Sequence, residues 1–403
     1  MTFSPEAHKK AFPIFRHHPG LLYLDHAATT HKPQSVIDRI KDFYEKEYAT
    51  VHRGIYSLAS EATETYEEVR DKVKDFIKAG TSKEIIFTKG STEGINLVAQ
   101  GFLKPRLKAG DEVLISAMEH HANLVPWQQL CQENGAKPRV IPINENGELD
   151  LEKYWQLLGP KTKMVACVHV SNTLGSINPI KRLITLARSK QIPILIDGSQ
   201  AIAHESVDME ALKPDFYVFS GHKMYGPSGV GVCYIREERL YEMKPLLWGG
   251  EMVKSVNFEE TLISEPPAKF EAGTPNMAGV LGLGAAIDYI RSLDRIEIRY
   301  YLKELSRYVQ GMLSDVKRLT LLGNAKERAP IFSFAIEGVH PHDVATFLDS
   351  RQIALRAGHH CTQPLMDHYG VFATSRASFS YINNKSEVGK LISALEEMIQ
   401  FFT

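Results

Sequence analysis

The chain has 403 residues, with 47 basic and 48 acidic side chains and a formal charge of −1. So even a balance leaves no electrostatic footprint for nucleic acid or an anionic membrane. The 43% apolar and 24% charged content is that of an ordinary soluble globular protein. The length exceeds what one hydrophobic core supports and predicts two domains. The opening residues MTFSPEAHKKAFPIF lack the apolar centre of a signal peptide. No run of about 18 apolar residues suggests a membrane span. There are four cysteines and no CxxC, so a reduced, cytoplasmic setting is expected.

Two amphipathic helices come first. In the second, Ala62, Tyr66, Val69, Val73 and Phe76 recur at helical spacing. From residue 84, short apolar runs alternate with longer helical stretches. The runs are 84–88, 112–116, 139–143, 164–170, 193–197, 216–220 and 231–235, rich in Val, Ile and Phe at consecutive positions. Such runs fit strands buried on both faces. Alternation with helices such as 94–104 and 180–191 predicts an α/β fold with a mostly parallel seven-stranded sheet. Only a short Gly- and Pro-containing segment joins the last two runs, so one edge strand is expected to be antiparallel. After residue 288 the texture changes. A charged helix at 295–316 leads to strands near 331–337, 353–356 and 377–382. A last helix carries Val388, Leu391, Ile392, Leu395 and Met398 on one stripe. The expected division is a large domain at 21–288 and a small α+β domain at 289–403, against which residues 1–20 pack.

Lys223 follows the run 216–220 in Ser-Gly-His-Lys-Met-Tyr-Gly-Pro. In open α/β sheets ligands bind beyond the carboxyl ends of the strands. A lysine there is desolvated enough to act as a neutral amine. A lysine after a strand is commonly a surface residue, but the flanking Ser, His and Gly weaken that alternative. Asp197 ends the run 193–197, one strand–crossover–strand unit upstream. Alone it reads as a helix N-cap. Paired with Lys223 it offers what a pyridine cofactor needs: an acid for the ring nitrogen and an amine for the aldehyde. Gly90-Ser91-Thr92-Glu93-Gly94 follows a strand and opens a helix, a phosphate-binding arrangement or a plain capping box. Glu119-His120-His121 lies just past another strand end, where an imidazole can stack on a flat ring.

Cys131, Cys167 and Cys233 sit in apolar helix or strand patterns and read as small core residues. Cys361 differs. It lies in Arg356-Ala357-Gly358-His359-His360-Cys361-Thr362-Gln363-Pro364, without apolar periodicity. The imidazoles and Arg356 favour a thiolate there. Adjacent His, His and Cys cannot easily converge on one tetrahedral ion, and no fourth ligand is evident, so no metal site is expected. Arg376 precedes the run 377–382, and its planar fork suits a substrate carboxylate, although a surface arginine fits as well.

Together these segments resemble the class V aminotransferase family of fold-type I pyridoxal-phosphate enzymes, and within it the SUF-type (group II) cysteine desulfurases. The resemblance runs from Tyr23-Leu24-Asp25-His26-Ala27-Ala28 to the last helix, with the motifs at 90–96, 119–127, 170–178, 197–200, 220–227, 270–276 and 356–361 in order. It implies pyridoxal 5'-phosphate held covalently by Lys223, with Asp197 at the ring nitrogen, Gln200 at the ring oxygen and His120 stacked on the ring. Thr92, Ser220 and His222 would hold the phosphate. Asn172 would face substrate and cofactor, and Arg376 would take the carboxylate of L-cysteine. Cys361 would accept the sulfur as a persulfide, releasing L-alanine and supplying iron–sulfur cluster assembly. Thr274 would reach the phosphate of a second copy, making a homodimer. A small sulfur-acceptor protein of the SUF system is the implied partner, and His342 resembles the position that engages a zinc-bearing acceptor. A selenocysteine lyase shares the scaffold and is the alternative. Thr50 and Tyr56 stand where the family often has Asn and His, and Lys89 where it often has Arg. Tyrosine is a poor base at neutral pH.

Overall fold

The computed structural model describes residues 3–402; Met1, Thr2 and Thr403, which fall within the expected small domain, lie outside the described residues. The centre is a seven-stranded sheet. Its strands run in the order Ile85–Thr88, Gly231–Ile235, Phe216–Ser220, Ile194–Asp197, Thr162–Val168, Glu112–Ser116 and Lys137–Ile141. Four of the pairings are parallel and the two made by Gly231–Ile235 are antiparallel. The inverted strand is therefore one in from the edge, not the edge strand expected above. The reason is that Ile85–Thr88 pairs outside it and points the same way as the parallel set. That inversion has a consequence for the site. It brings the turn at Gly90 to the same end of the sheet as the loops after Ser116, Val168, Asp197 and Ser220.

Two strands begin and end two residues earlier than their apolar runs. Lys137–Ile141 is the far edge, with only Ile141 buried, so its polar residues hid it while its register with Glu112–Ser116 sets its bounds. Thr162–Val168 begins at a threonine paired with Glu112. The long helix Ser57–Ile77 buries Ala62, Tyr66, Val69, Val73 and Phe76, as its spacing requires.

A second sheet is wholly antiparallel, in the order Leu319–Leu321, Ile331–Ile336, Thr374–Ser378 and Arg356–Gly358. Arg376 thus lies inside a strand rather than before one, because the pairing Ser333↔Arg376 extends the ladder toward polar residues. Helices Arg295–Ser314 and Lys385–Phe402 cover this sheet, around a core that includes Leu305, Phe332, Phe334, Leu391 and Leu395. Leu22 and Leu24 belong to the same core, since Leu22–Tyr23 pairs in parallel with Ile353–Ala354. The N-terminal segment packs here too, through Lys9–Glu387 at 2.6 Å and Phe3 against Tyr301.

The inverted strand must pass close to the Gly90 turn. A Cβ on Gly231 would stand 2.6 Å from Gly90 Cα and from the Phe219 carbonyl. Gly231→Ala is expected to cost about 1–3 kcal/mol of stability through overpacking, measured by urea unfolding. Gly159→Ala, which meets nothing within 4 Å, is expected to stay within about 0.5 kcal/mol. Equal stability of the two variants would contradict this packing.

Candidate active site

At the carboxyl ends of the parallel strands the loops enclose a cavity. Its walls include Ser91, Thr92, His120, Asn172, Asp197, Ser220, His222, Lys223, Arg356 and Arg376, with Ala27 and Ala28 from the start of the chain. Each strand reaches this point as a run of buried residues and then releases one polar side chain. A larger cavity, lined by Phe87, Lys89, Glu271 and Thr274, lies beside it and contains neither Lys223 nor Asp197.

Lys223 follows Ser220 on a single turn, Gly221–Lys223. Burial lowers the affinity of its amine for a proton, and the carboxylate of Asp197 opposes that effect. Asp197 is buried and accepts from the Ser199 N–H at 3.0 Å through one oxygen. His120 is held neutral. Burial, and then the charge of Lys223, pushes it down to about 3. Its Nδ1 accepts from the Ala122 N–H at 3.0 Å, so the ring proton sits on Nε2. Burial likewise lowers His222 to about 4. The hydroxyls of Ser91 and Ser220 lie 3.0 Å apart, and the Ser91 N–H donates to Ser220 Oγ at 2.9 Å. Thr92 stands on the exposed rim of the same turn.

Cys361 comes from the second sheet. Its loop leaves the strand Arg356–Gly358 and enters the helix Gln363–His368 through two consecutive left-handed residues, His360 at φ 52° and Cys361 at φ 57°. Neither is glycine, so this backbone costs about 1–3 kcal/mol per residue and must be held from outside. It is held by the cavity walls. The His121 N–H donates to the Cys361 carbonyl at 2.7 Å, Asn172 Nδ2 donates to the His360 carbonyl at 2.9 Å, and His360 Nε2 pairs with Thr374 Oγ1 at 2.9 Å. Cys361 is half-exposed, whereas Cys131, Cys167 and Cys233 are buried. Burial pushes the Cys131 thiol up to about 11 and the other two further still.

Arg376 is 1% exposed. Its Nη2 donates to Asp25 Oδ1 at 2.8 Å and its Nη1 to the Asn172 carbonyl at 2.9 Å, while Nε has no partner. Directly across the ladder is Arg356. The charge of a Cys361 thiolate reaches both Lys223 and Arg376.

Nine of the expected residues thus meet around one cavity and its mouth: Lys223, Asp197, His120, Ser220, His222, Thr92, Asn172, Arg376 and Cys361. Three stand apart. Gln200 lies behind the wall, where its Nε2 donates to the Ala27 carbonyl at 2.6 Å. Thr274 is exposed beside the larger cavity. His342 is exposed in the first turn of the helix Pro341–Asp349, next to the capping His340. Tyr56 caps the helix Ser57–Ile77, half-exposed, and Thr50 is exposed.

The sequence reading passed over Asp25, the counter-ion of Arg376; over Arg356 as a cavity wall; and over Glu119. Glu119 is buried between Ser116 Oγ, Asn123 Nδ2 at 2.6 Å and the Val168 N–H at 2.7 Å. Burial pushes it up to about 8, so it carries a proton at neutral pH. A signal for Asp25 was its place in the Tyr23–Ala28 motif, and for Glu119 its position directly before His120.

Pyridoxal phosphate fits this donor set. Asn172 Oδ1 and Arg376 Nε are buried without partners in the present arrangement, and hydroxyls, an imidazole and a desolvated amine line the same space. Among the described residues no cluster of His, Cys, Asp or Glu is arranged to hold a metal ion, and no helix is long and apolar enough to cross a membrane. The family described as "Aminotransferase class-V" matches residues 22–391. A cysteine desulfurase of Serratia proteamaculans (strain 568) is 47% identical over 402 residues, 99% of each chain, and one of Salmonella agona (strain SL483) is 46% identical over 399 residues, 98% of each. Among solved structures, the cysteine desulfurase CsdA of Escherichia coli superposes with a TM-score of 0.93 at 37% identity over 100% of both chains. The apo cysteine desulfurase of Thermococcus onnurineus NA1 gives 0.95 at 37% identity, over 100% of this chain and 99% of that one. The fold, the cavity and these likenesses agree: the chain belongs to the class V aminotransferase family, as a pyridoxal-phosphate enzyme of its cysteine desulfurase branch.

Proposed function

We propose that the chain is a SUF-type cysteine desulfurase that converts L-cysteine to L-alanine and keeps the sulfur as a persulfide on Cys361. The observation that carries this reading is the placement of Cys361. It is the half-exposed thiol of the four, on a compact loop hydrogen-bonded to the walls that hold Lys223 and Arg376. A loop tied down at His360 and Cys361 cannot swing far, which favours the compact-loop SUF type over one with a long mobile loop.

Bound pyridoxal phosphate supplies an electron sink for the carbanion formed at the substrate Cα. The residues of the chain do the rest. Arg376, already oriented by Asp25 and Asn172, receives the substrate carboxylate with its remaining N–H groups. Asp197, at the end of Ile194–Asp197, would hold the ring nitrogen of the bound cofactor. Lys223, whose proton affinity burial lowers, takes the Cα proton as a free amine. Neutral His120 packs its ring face over the site and offers an N–H at Nε2. The Cys361 thiolate attacks the substrate sulfur; an S–S bond forms, the C–S bond breaks, and its electron pair stays on carbon, where a proton completes alanine. L-cysteine and one thiol become alanine and one persulfide, so atoms and electrons balance. Only the thiolate is nucleophilic enough for this step.

The chain is proposed to work as a cytoplasmic homodimer that feeds iron–sulfur cluster assembly. Thr274 is exposed, as a residue serving a partner's phosphate must be, and exposed Trp248, Phe258 and Leu262 give a second copy an apolar surface to cover. The large domain of 21–288 and the small domain of 289–403 with 1–20 remain our division, supported by the separate core around Leu305 and Phe334. The sulfur acceptor is proposed to be a small SUF protein bearing zinc, with the exposed His342 as a ligand or contact.

Alanine release from L-cysteine with a reductant is expected from the wild type and to fall to near background in Cys361→Ala; equal release from both would mean another route of sulfur loss. A zinc-loaded acceptor is expected to raise turnover of the wild type, and His342→Ala to abolish that gain without changing the basal rate. Undiminished stimulation of the variant would reject the role of His342.

A further inference from the structure

We propose that Lys32 is a positioning residue for Lys223: with Thr29 and Thr30 it clamps the carbonyl of His222 and so fixes the peptide from which the Lys223 side chain departs. Four donors converge on that oxygen. They are the Thr30 N–H at 3.0 Å, Thr30 Oγ1 at 3.0 Å, Lys32 Nζ at 3.1 Å and Thr29 Oγ1 at 3.2 Å. A carbonyl oxygen has two lone pairs, so the donors share them, and Lys32 is the one charged donor among them. The same segment grips the far side of Lys223. Thr30 Oγ1 accepts from the Tyr225 N–H at 2.8 Å, so a single hydroxyl joins the residues before and after the lysine.

The clamp has a physical task. Tyr225 is a bulky residue at φ 66°, a left-handed conformation that costs about 1–3 kcal/mol and persists only when its surroundings over-determine it. Released, this backbone would relax and carry Lys223 with it. Lys32 itself is placed at a cost. Its amine is turned inward onto the carbonyls of Thr30 and His222, and burial, opposed by no carboxylate, lowers it to about 8. A lysine needed only for solubility would extend into water.

This inference deepens the reading that Lys223 moves the Cα proton, and rests on it. The test separates the two. Amide hydrogen exchange of residues 220–226 is followed in the full chain, with and without cofactor, for the wild type and Lys32→Met. The loss of a charged hydrogen bond is expected to speed exchange there by about tenfold or more. On the holoenzyme, Cα-deuterated L-cysteine is expected to show an isotope effect on alanine formation that is larger in Lys32→Met, with kcat lowered about tenfold and KM within about twofold. Lys32→Arg, which keeps charge and donors, is expected to restore both readouts. Should Lys32→Met not fold, Thr29→Ala removes one neutral donor and is expected to move them in the same direction by less. Unchanged exchange would overturn the clamp. Faster exchange with unchanged kcat and isotope effect would overturn its role in catalysis. Faster exchange with no alanine even from the wild type would leave the clamp standing and remove the desulfurase reading instead.

Discussion

The arrangement depends on one buried cation. Arg376 sits on the Thr374–Ser378 strand of the second sheet, yet its guanidinium is paired with Asp25 from the start of the chain and with the Asn172 carbonyl from the loop after Thr162–Val168. An unpaired charge at that depth would be too costly to keep. The chain meets this by laying its first extended segment alongside the second sheet. Leu22–Tyr23 pairs with Ile353–Ala354, and Asp25 bridges to Ser378. The salt bridge therefore holds Arg376 in the wall of the cavity that Lys223 also lines. It also joins residues far apart in sequence around one cavity.

Around that cation the protonation states are divided by environment. Asp197 ends its strand beside Lys223, whereas Glu119, which follows a strand two places away in the sheet, is enclosed by Ser116, Asn123 and Val168 and holds its proton at neutral pH. Ionised, it would add a second buried negative charge near Asp197. Held neutral, it tethers the turn bearing His120 to the strand beside Asp197, whose residue lies opposite Val168. His120 and His222 are kept neutral by the same desolvation that lowers Lys223. One low-dielectric crevice thus yields an amine that gives up its proton readily and imidazoles that do not compete for it.

Much of this was legible in the sequence because it is local. Strands buried on both faces announce themselves as apolar runs, and residues just past their ends are set apart by polarity, as with Lys223, Asp197 and His120. The edge strand Lys137–Ile141 was displaced in the reading because four of its five residues face solvent. The short link between the last two runs implies one antiparallel strand, but that it is Gly231–Ile235, one in from the edge, is a non-local fact. So were the partners of Arg376. Nothing in the periodicity of Tyr23–Ala28 links Asp25 to a strand near the other end of the chain; only the fold does. Gln200 behind Ala27, and the left-handed pair His360–Cys361, likewise became visible only in three dimensions.

The central claim is that sulfur leaves L-cysteine through Cys361 and no other thiol. The most direct measurement is a single turnover of the holoenzyme with L-cysteine and no reductant, followed by alkylation, digestion and mass analysis of all four cysteine peptides. The account predicts one added sulfur atom on the Cys361 peptide, equimolar with alanine, and none on the peptides of Cys131, Cys167 and Cys233. Alanine formed with no sulfur on Cys361, or with sulfur on a buried cysteine, would contradict it.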